Sequence, residues 1–234
     1  MKKLSILIIL LVAINVSAQE AYFTSYNFIV EPSQQNTVVK LISDYFTANK
    51  TEGVTVSLWE NHFNDPGNNF THMIVFSGSL DAMGNQYSND GGAEWMLFMT
   101  QINQHIKDGF SSSMGRRLAS WGDMEASYPV QNYYIVQVEN SNTFRSAYEK
   151  YQSSAVRKGW MNMYGTFTTG VGPDGGSHWI ITGHKDFKSA MGGSSAVLTE
   201  SEKKTRDKAW NTFRETNGGA ELVRSGTRVM LGIW

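Results

Sequence analysis

The stretch Gly53–Gly78 (GVTVSLWENHFNDPGNNFTHMIVFSG) has a counterpart in the same chain. Displaced by 106 positions, the step from His72 to His178, it falls on Gly159–His184 (GWMNMYGTFTTGVGPDGGSHWIITGH). Both copies read as strand, polar turn containing Pro and Gly, strand, and both set a histidine just inside the second strand. Few residues are identical across the offset, so the case for an internal duplication rests on pattern.

The flanking segments extend the repeat. Tyr22–Val30 is rich in aromatic and β-branched residues and predicts a strand. Gln34–Ala48 places Val38, Val39, Leu41, Ile42, Tyr45 and Phe46 on one face at helical period, with Ser33 as the candidate cap. Val54–Trp59 and His72–Ser77 are the strands of the hairpin. Gly78–Gly92 is polar and glycine-rich and predicts a loop. A second helix is expected over Ala93–Ile106, and a short strand over Arg116–Trp121. The second half repeats the order: strand Asn132–Val138, a helix from Ser141 to about Val156, and strands Trp160–Thr168 and Ser177–His184. Lys188–Ser195 follows as a loop. Thr199 and Glu202 then form a capping box opening a helix that runs to Thr216, and Arg224–Trp234 closes as a strand. Each half is therefore β-α-β-β-α-β, the ferredoxin-like unit. The expected division is 19–125 and 126–234, in an α+β fold of two such repeats fused in one chain.

The first stretch stands apart. A basic start at Lys2-Lys3, an apolar run over Ile6–Ile14 and small residues at Val16-Ser17-Ala18 read as a secretory signal peptide, 1–18, cleaved after Ala18. The run is short for a bilayer span. The expected product is secreted or periplasmic, without a stable membrane span. No cysteine is present, so the core must supply the stability that disulfides give many exported domains. The formal charge is −1 for the whole chain and −3 once Lys2 and Lys3 leave, which argues against nucleic acid as a partner. Neither a partner protein nor an oligomeric state is readable from these residues. Asn49-Lys50-Thr51 and Asn69-Phe70-Thr71 match the glycosylation pattern, but the leader is bacterial in style and both read as chance.

In the hairpin strands both faces are substantially apolar. His72, Ile74 and Phe76 alternate with Met73, Val75 and Ser77; His178, Ile180, Thr182 and His184 alternate with Trp179 and Ile181. A half-solvated antiparallel sheet would show one polar face, so these sheets are expected to pack on helices outside and on each other inside. The pattern resembles the dimeric α/β-barrel superfamily, which contains antibiotic-biosynthesis monooxygenases, NIPSNAP-like proteins, chlorite dismutases and dye-decolourising peroxidases. The resemblance rests on element order and duplication across nearly all of 19–234. It implies two ferredoxin-like units facing each other, with a ligand or active site between the sheets, and it informs fold more than function.

Candidate site residues follow from that arrangement. His72 and His178 occupy equivalent positions, and His184 lies on the same strand face as His178 with Gly78 as its counterpart. An imidazole can act as a base or ligand near neutral pH, though a strand-end histidine bonded to backbone or water is the plainer reading. Trp59, Trp160, Asn162 and Tyr164, with Met161 and Met163, have the aromatic and polar mixture of a small-molecule pocket, or simply of a core. Arg116, Arg117 and Arg228 lie near the last strand of each half; facing inward, such a residue holds a carboxylate by two parallel hydrogen bonds, and at an edge it discourages aggregation. Glu60, His62 and Asp65 match no recognised metal spacing, so no metal site is assigned.

No phosphate-cradling glycine loop, Gly-x-Ser-x-Gly or His-Glu-x-x-His motif occurs. Gly170–Gly176 approximates the Gly-x-x-Asp-Gly motif of dye-decolourising peroxidases but has Val171 where glycine is needed, and reads as a turn. Four functions are consistent with this sequence. The first is binding of a small apolar or aromatic ligand between the two sheets. The second is a cofactor-independent monooxygenase or isomerase using His72, His178 or His184 in proton transfer. The third is a haem protein with His184 or His178 as axial ligand. The fourth is an interaction module without pocket chemistry.

Overall fold

A computed structural model of the chain describes residues 21–88, 91–154, 159–170 and 175–234. The segment 1–18, read from sequence as a signal peptide, lies outside the described residues, as does most of the turn between Gly170 and Gly176. Eight strands and six α-helices are described: β1 Ala21–Val30, α1 Gln35–Ala48, β2 Val54–Asn64, β3 His72–Gly78, α2 Leu80–Ser88, α3 Gly92–Ile102, β4 Ile106–Trp121, β5 Val130–Val138, α4 Ser141–Ser154, β6 Trp160–Thr169, β7 His178–His184, α5 Phe187–Gly192, α6 Glu200–Thr216 and β8 Ala220–Ile233.

The strands close into one barrel in the order β1-β3-β2-β8-β5-β7-β6-β4, and every pair is antiparallel. The order β4-β1-β3-β2 in the first half matches β8-β5-β7-β6 in the second. Two seams, β2–β8 and β4–β6, join the halves, and each carries two register shifts. Such bulges add local bend and twist, which a closing sheet needs. At the β4–β6 seam the strands carry glycines. A Cβ on Gly115 would lie 2.1 Å from the Thr166 carbonyl oxygen and 2.8 Å from the Phe23 ring; one on Gly165 would lie 2.1 Å from the Arg116 oxygen and 2.4 Å from Trp179. The other seam ends with Val56 and Trp234 exchanging two backbone hydrogen bonds, at 3.0 and 2.8 Å.

The hydrophobic cores lie outside the ring, between sheet and helices. In the first half Val38, Ile42 and Phe46 of α1 and Phe98 and Ile102 of α3 meet Phe28, Val54, Val56, Leu58 and Phe76. In the second, Phe144 and Tyr148 of α4 and Phe213 of α6 meet Val136, Val138 and Tyr164. The sequence reading of α6 is reproduced in detail. Thr199 Oγ1 accepts from the Glu202 N–H, and the Glu202 carboxylate accepts from the Thr199 N–H at 2.8 Å.

Three elements differ from expectation. Gly78–Gly92 is not all loop: Leu80–Ser88 is helical, started by Ser79 Oγ accepting from the Ala82 N–H (3.2 Å) and anchored by buried Ala82 and Met83. Within 188–195, α5 forms because Asp186 accepts from the Ser189 N–H at 2.7 Å. The strand expected at Arg116–Trp121 begins at Ile106, and the helix before it stops at Ile102. Ser111, Ser112 and Ser113 have no apolar alternation to announce a strand, but β1 supplies their hydrogen-bond partners along Asn27, Tyr26 and Ser25.

Phe144 is 1% exposed and packs on Tyr148, Tyr164, His178 and Phe213. Phe144→Ala is expected to lower unfolding stability by ~3–5 kcal/mol in urea titration. Phe63→Ala, at a residue 58% exposed, should change it little. Equal effects would contradict the placement of the core.

Candidate functional site

Strand alternation divides the side chains into two sets. Odd positions of β1, β2, β3, β5 and β7, including Phe23, Ser57, Trp59, Met73, Tyr133 and Trp179, point into the barrel. Even positions of the same strands point to the helices. The inward set lines a cavity of about 830 Å³, walled mainly by aromatic, methionine and small polar side chains. Eight-stranded barrels are wide enough either to fill with side chains or to hold one small ligand. This barrel keeps the space because much of its wall is Ser25, Thr55, Ser57, Ser77, Ser111 and Ser113.

Among the proposed site residues, Trp59, Arg117 and Arg228 line this cavity, as do Met161 and Met163. Trp160, Asn162 and Tyr164 do not. They alternate with the two methionines on β6 and face the helices. Asn162 Oδ1 there accepts from Tyr148 Oη (2.9 Å) and Gln152 Nε2 (3.0 Å) in a buried polar knot. Arg116 is exposed on the outer face.

The three histidines are not among the cavity-lining residues either. His72 is stacked on Phe28 with ring centroids 5.8 Å apart, and its Nδ1 lies 2.9 Å from Thr71 Oγ1. His178 meets Phe144 of α4 at 5.5 Å, with Nδ1 2.8 Å from Ser177 Oγ. Their equivalence across the offset is retained, but 106 is even, so both copies keep the same parity and both face outward. His184, at the far end of β7 from His178, is also buried. Burial lowers the pKa of all three; Glu60 opposes this at His72 and Asp186 at His184. They are therefore neutral near pH 7 and buried where they stand. Glu60 Oε1 lies 3.2 Å from His62 Nδ1. Asp65 turns to Arg224 (3.4 Å), and among the described residues no group of His, Asp or Glu is placed to hold a metal.

The cavity's polar side centres on Arg228 of β8, which is 8% exposed. Its Nε and Nη2 donate to Gln131 Oε1 at 3.1 and 2.7 Å. Nη1 lies 3.0 Å from Met73 Sδ, and the guanidinium carbon sits 4.3 Å from the Trp59 ring centroid. Trp59 is held in turn by its Nε1–H donating to Ser57 Oγ (2.8 Å). Burial pulls the Arg228 pKa down to about 10, so it is still a cation at neutral pH. Tyr133 stands alongside, its hydroxyl accepting from Asn68 Nδ2 (2.5 Å) and donating to Asn61 Oδ1 (3.0 Å). Burial first, then Asp65, pushes its pKa up to about 12. At the other side Phe23 meets Trp179 edge-on at 5.5 Å and Phe167 at 6.1 Å. Trp179 Nε1 and Asn27 Oδ1 are buried without a partner among the described residues.

Solved structures with this architecture span almost the whole chain. An anthrone oxidase-like protein superposes with TM-score 0.57 at 9% identity, covering 92% of this chain and 93% of that one. A candidate monooxygenase from Fusobacterium nucleatum gives 0.58 at 16%, covering 91% and 93%. A candidate monooxygenase from Lactobacillus acidophilus gives 0.60 at 11%, covering 91% and 95%. The chain has the dimeric α/β-barrel fold. No protein-family model matches the sequence, and no curated protein does. At these identities the likeness carries the fold and not the chemistry.

Gln131, Tyr133, Met73 and Asn68 belong to the site and are not singled out by sequence reasoning. The alternation in Asn132–Val138 was there to be read. What it lacked was which parity faces inward.

The neutral histidines have a consequence for stability. Above the ordinary value of 6.5 they are uncharged both folded and unfolded. Below it the unfolded chain takes up protons that the folded chain resists, so stability falls as pH drops from about 6.5. Urea midpoints measured from pH 7.5 to 5 should fall, and the slope should flatten in the His72→Gln, His178→Gln double variant. An unaltered slope would mean that these two rings carry none of it.

Proposed function

We propose that the protein binds a small, largely apolar or aromatic molecule inside the barrel. The supporting observation is the cavity of about 830 Å³, a volume typical of small-molecule sites, with walls of aromatic, methionine and small polar side chains. The proposed setting is outside the cytoplasm, on the strength of the leader at 1–18. In this reading two ferredoxin-like units, 19–125 and 126–234, arose by duplication and enclose the ligand between their helix-free faces. The matching strand order of the two halves supports it.

The alternatives are weaker on geometry. A haem in the cavity with an imidazole axial ligand does not fit, because no histidine lines the wall. Proton transfer from the cavity by His72, His178 or His184 meets the same obstacle, and Tyr133, held protonated, is no base at neutral pH. Of the fold neighbours, one is an anthrone oxidase-like protein and two are candidate monooxygenases, and oxygen uptake with a phenol panel tests such an activity here.

Binding is expected to be visible with N-phenyl-1-naphthylamine, a neutral fluorophore that brightens in apolar surroundings. Val75 is on the inner wall, so Val75→Trp fills the cavity from within. That variant should melt cooperatively and bind the dye at least about tenfold more weakly, the ordinary cost of losing an apolar site of this kind. Dye binding unchanged by the plug would move the site elsewhere.

A further inference from the structure

Arg228 carries a charge that the protein does not balance. Its neighbours in the cavity are an amide, a thioether, an indole face and a protonated phenol. Arg117 reaches the same cavity, and among the described residues its polar contact is Met163 Sδ at 4.0 Å. Its parent strand β4 is four steps from β8 in either direction round the ring, so the two guanidinium groups enter from opposite walls. Arg224 also reaches the lining but is paired with Asp65. The acidic residue in the lining, Glu125, is exposed on the loop before β5. The interior is thus doubly positive, with no carboxylate among the described residues set against either Arg117 or Arg228.

An unpaired charge out of water is costly, and proteins keep one where something comes to pair it. The geometry of Arg228 shows what. Guanidinium has five N–H donors. Gln131 Oε1 occupies the edge formed by Nε and Nη2, and the sulfur of Met73 takes one donor of Nη1. One N–H on Nη1 and one on Nη2 are left without an acceptor among the described residues. Two donors on adjacent terminal nitrogens suit the two oxygens of a carboxylate. Gln131 and the Trp59 face fix the plane of the fork before any ligand arrives, which reduces the ordering cost of binding. The thioethers and rings around it leave room for an apolar body, and no carboxylate among the described residues competes for those donors.

We infer that the ligand is an organic monocarboxylate with an aromatic or apolar body, its carboxylate held by the free fork of Arg228 and its body lying against the aromatic and methionine walls. Arg117 on the opposite wall favours the anion at longer range. The inference rests on the proposed cavity binding and narrows it to one ligand class.

The test compares 2-naphthoate with 2-naphthamide, one body with and without the charge, by calorimetry on the full chain, with N-phenyl-1-naphthylamine as the neutral reporter of the cavity. The wild-type protein should bind the naphthoate at least about tenfold more tightly, the scale of one charge-assisted hydrogen-bond pair. Arg228→Met, which keeps apolar bulk beside Met73 and Trp59, should bring the two within about twofold while retaining the dye. Arg228→Lys keeps the charge but not the fork and should fall between. Dye binding with equal affinity for naphthoate and naphthamide in the wild type overturns the anion assignment and leaves the cavity reading standing, even if the variants fail to fold. No binding of dye, naphthoate or naphthamide overturns both. A preference that survives in Arg228→Met and disappears in Arg117→Met overturns the choice of residue.

Discussion

Closure of the antiparallel ring is the constraint on which the rest of the molecule depends. Each half, taken alone, is a four-stranded sheet with two open edges and one uncovered face. Open edges offer unpaired backbone groups to other chains, and an uncovered face must meet water or a partner. Joining β2 to β8 and β4 to β6 removes all four edges at once and turns both bare faces inward. The seams carry the irregularities that this requires: register shifts in both, and at β4–β6 two glycines where a Cβ would strike the opposite backbone.

Closure also separates the two jobs of a strand residue. The outward set packs on the helices in two dense clusters, where Phe144, Leu58 and Val38 are almost entirely buried. The inward set is relieved of packing by the diameter of the ring and can be small or polar. That is why serines sit on the inside. The barrel's stability lies in the outer layers, and its interior is left available for chemistry.

Much of this was legible beforehand. The apolar periodicity of α1, α4 and α6 and the Thr199–Glu202 box are local patterns, and the local structure follows them. The failures are as informative. Helix α2 has Gly84 and Asn85 in its middle and is held by tertiary contact of Ala82 and Met83 rather than by propensity. The first ten residues of β4 lack strand character and exist because β1 pairs with them. Among candidate site residues, the split was one of parity. Trp59, Arg117 and Arg228 turned inward, whereas Trp160, Asn162, Tyr164 and the three histidines turned to the helices.

Residue order alone thus specified the eight strands and the helices α1, α3, α4 and α6 to within a few residues at most ends, because strand and helix periods and caps are short-range properties of neighbouring side chains. It left open which of two apolar strand faces would meet the helices, since both looked equally able to be buried. That choice was made by docking α1, α3, α4 and α6 against one face and closing the ring around the other. The same step brought Arg228, Gln131, Met73 and Trp59, from four different strands, to one point in the wall. No spacing along the chain encodes that meeting, because it depends on how β2, β3, β5 and β8 lie side by side.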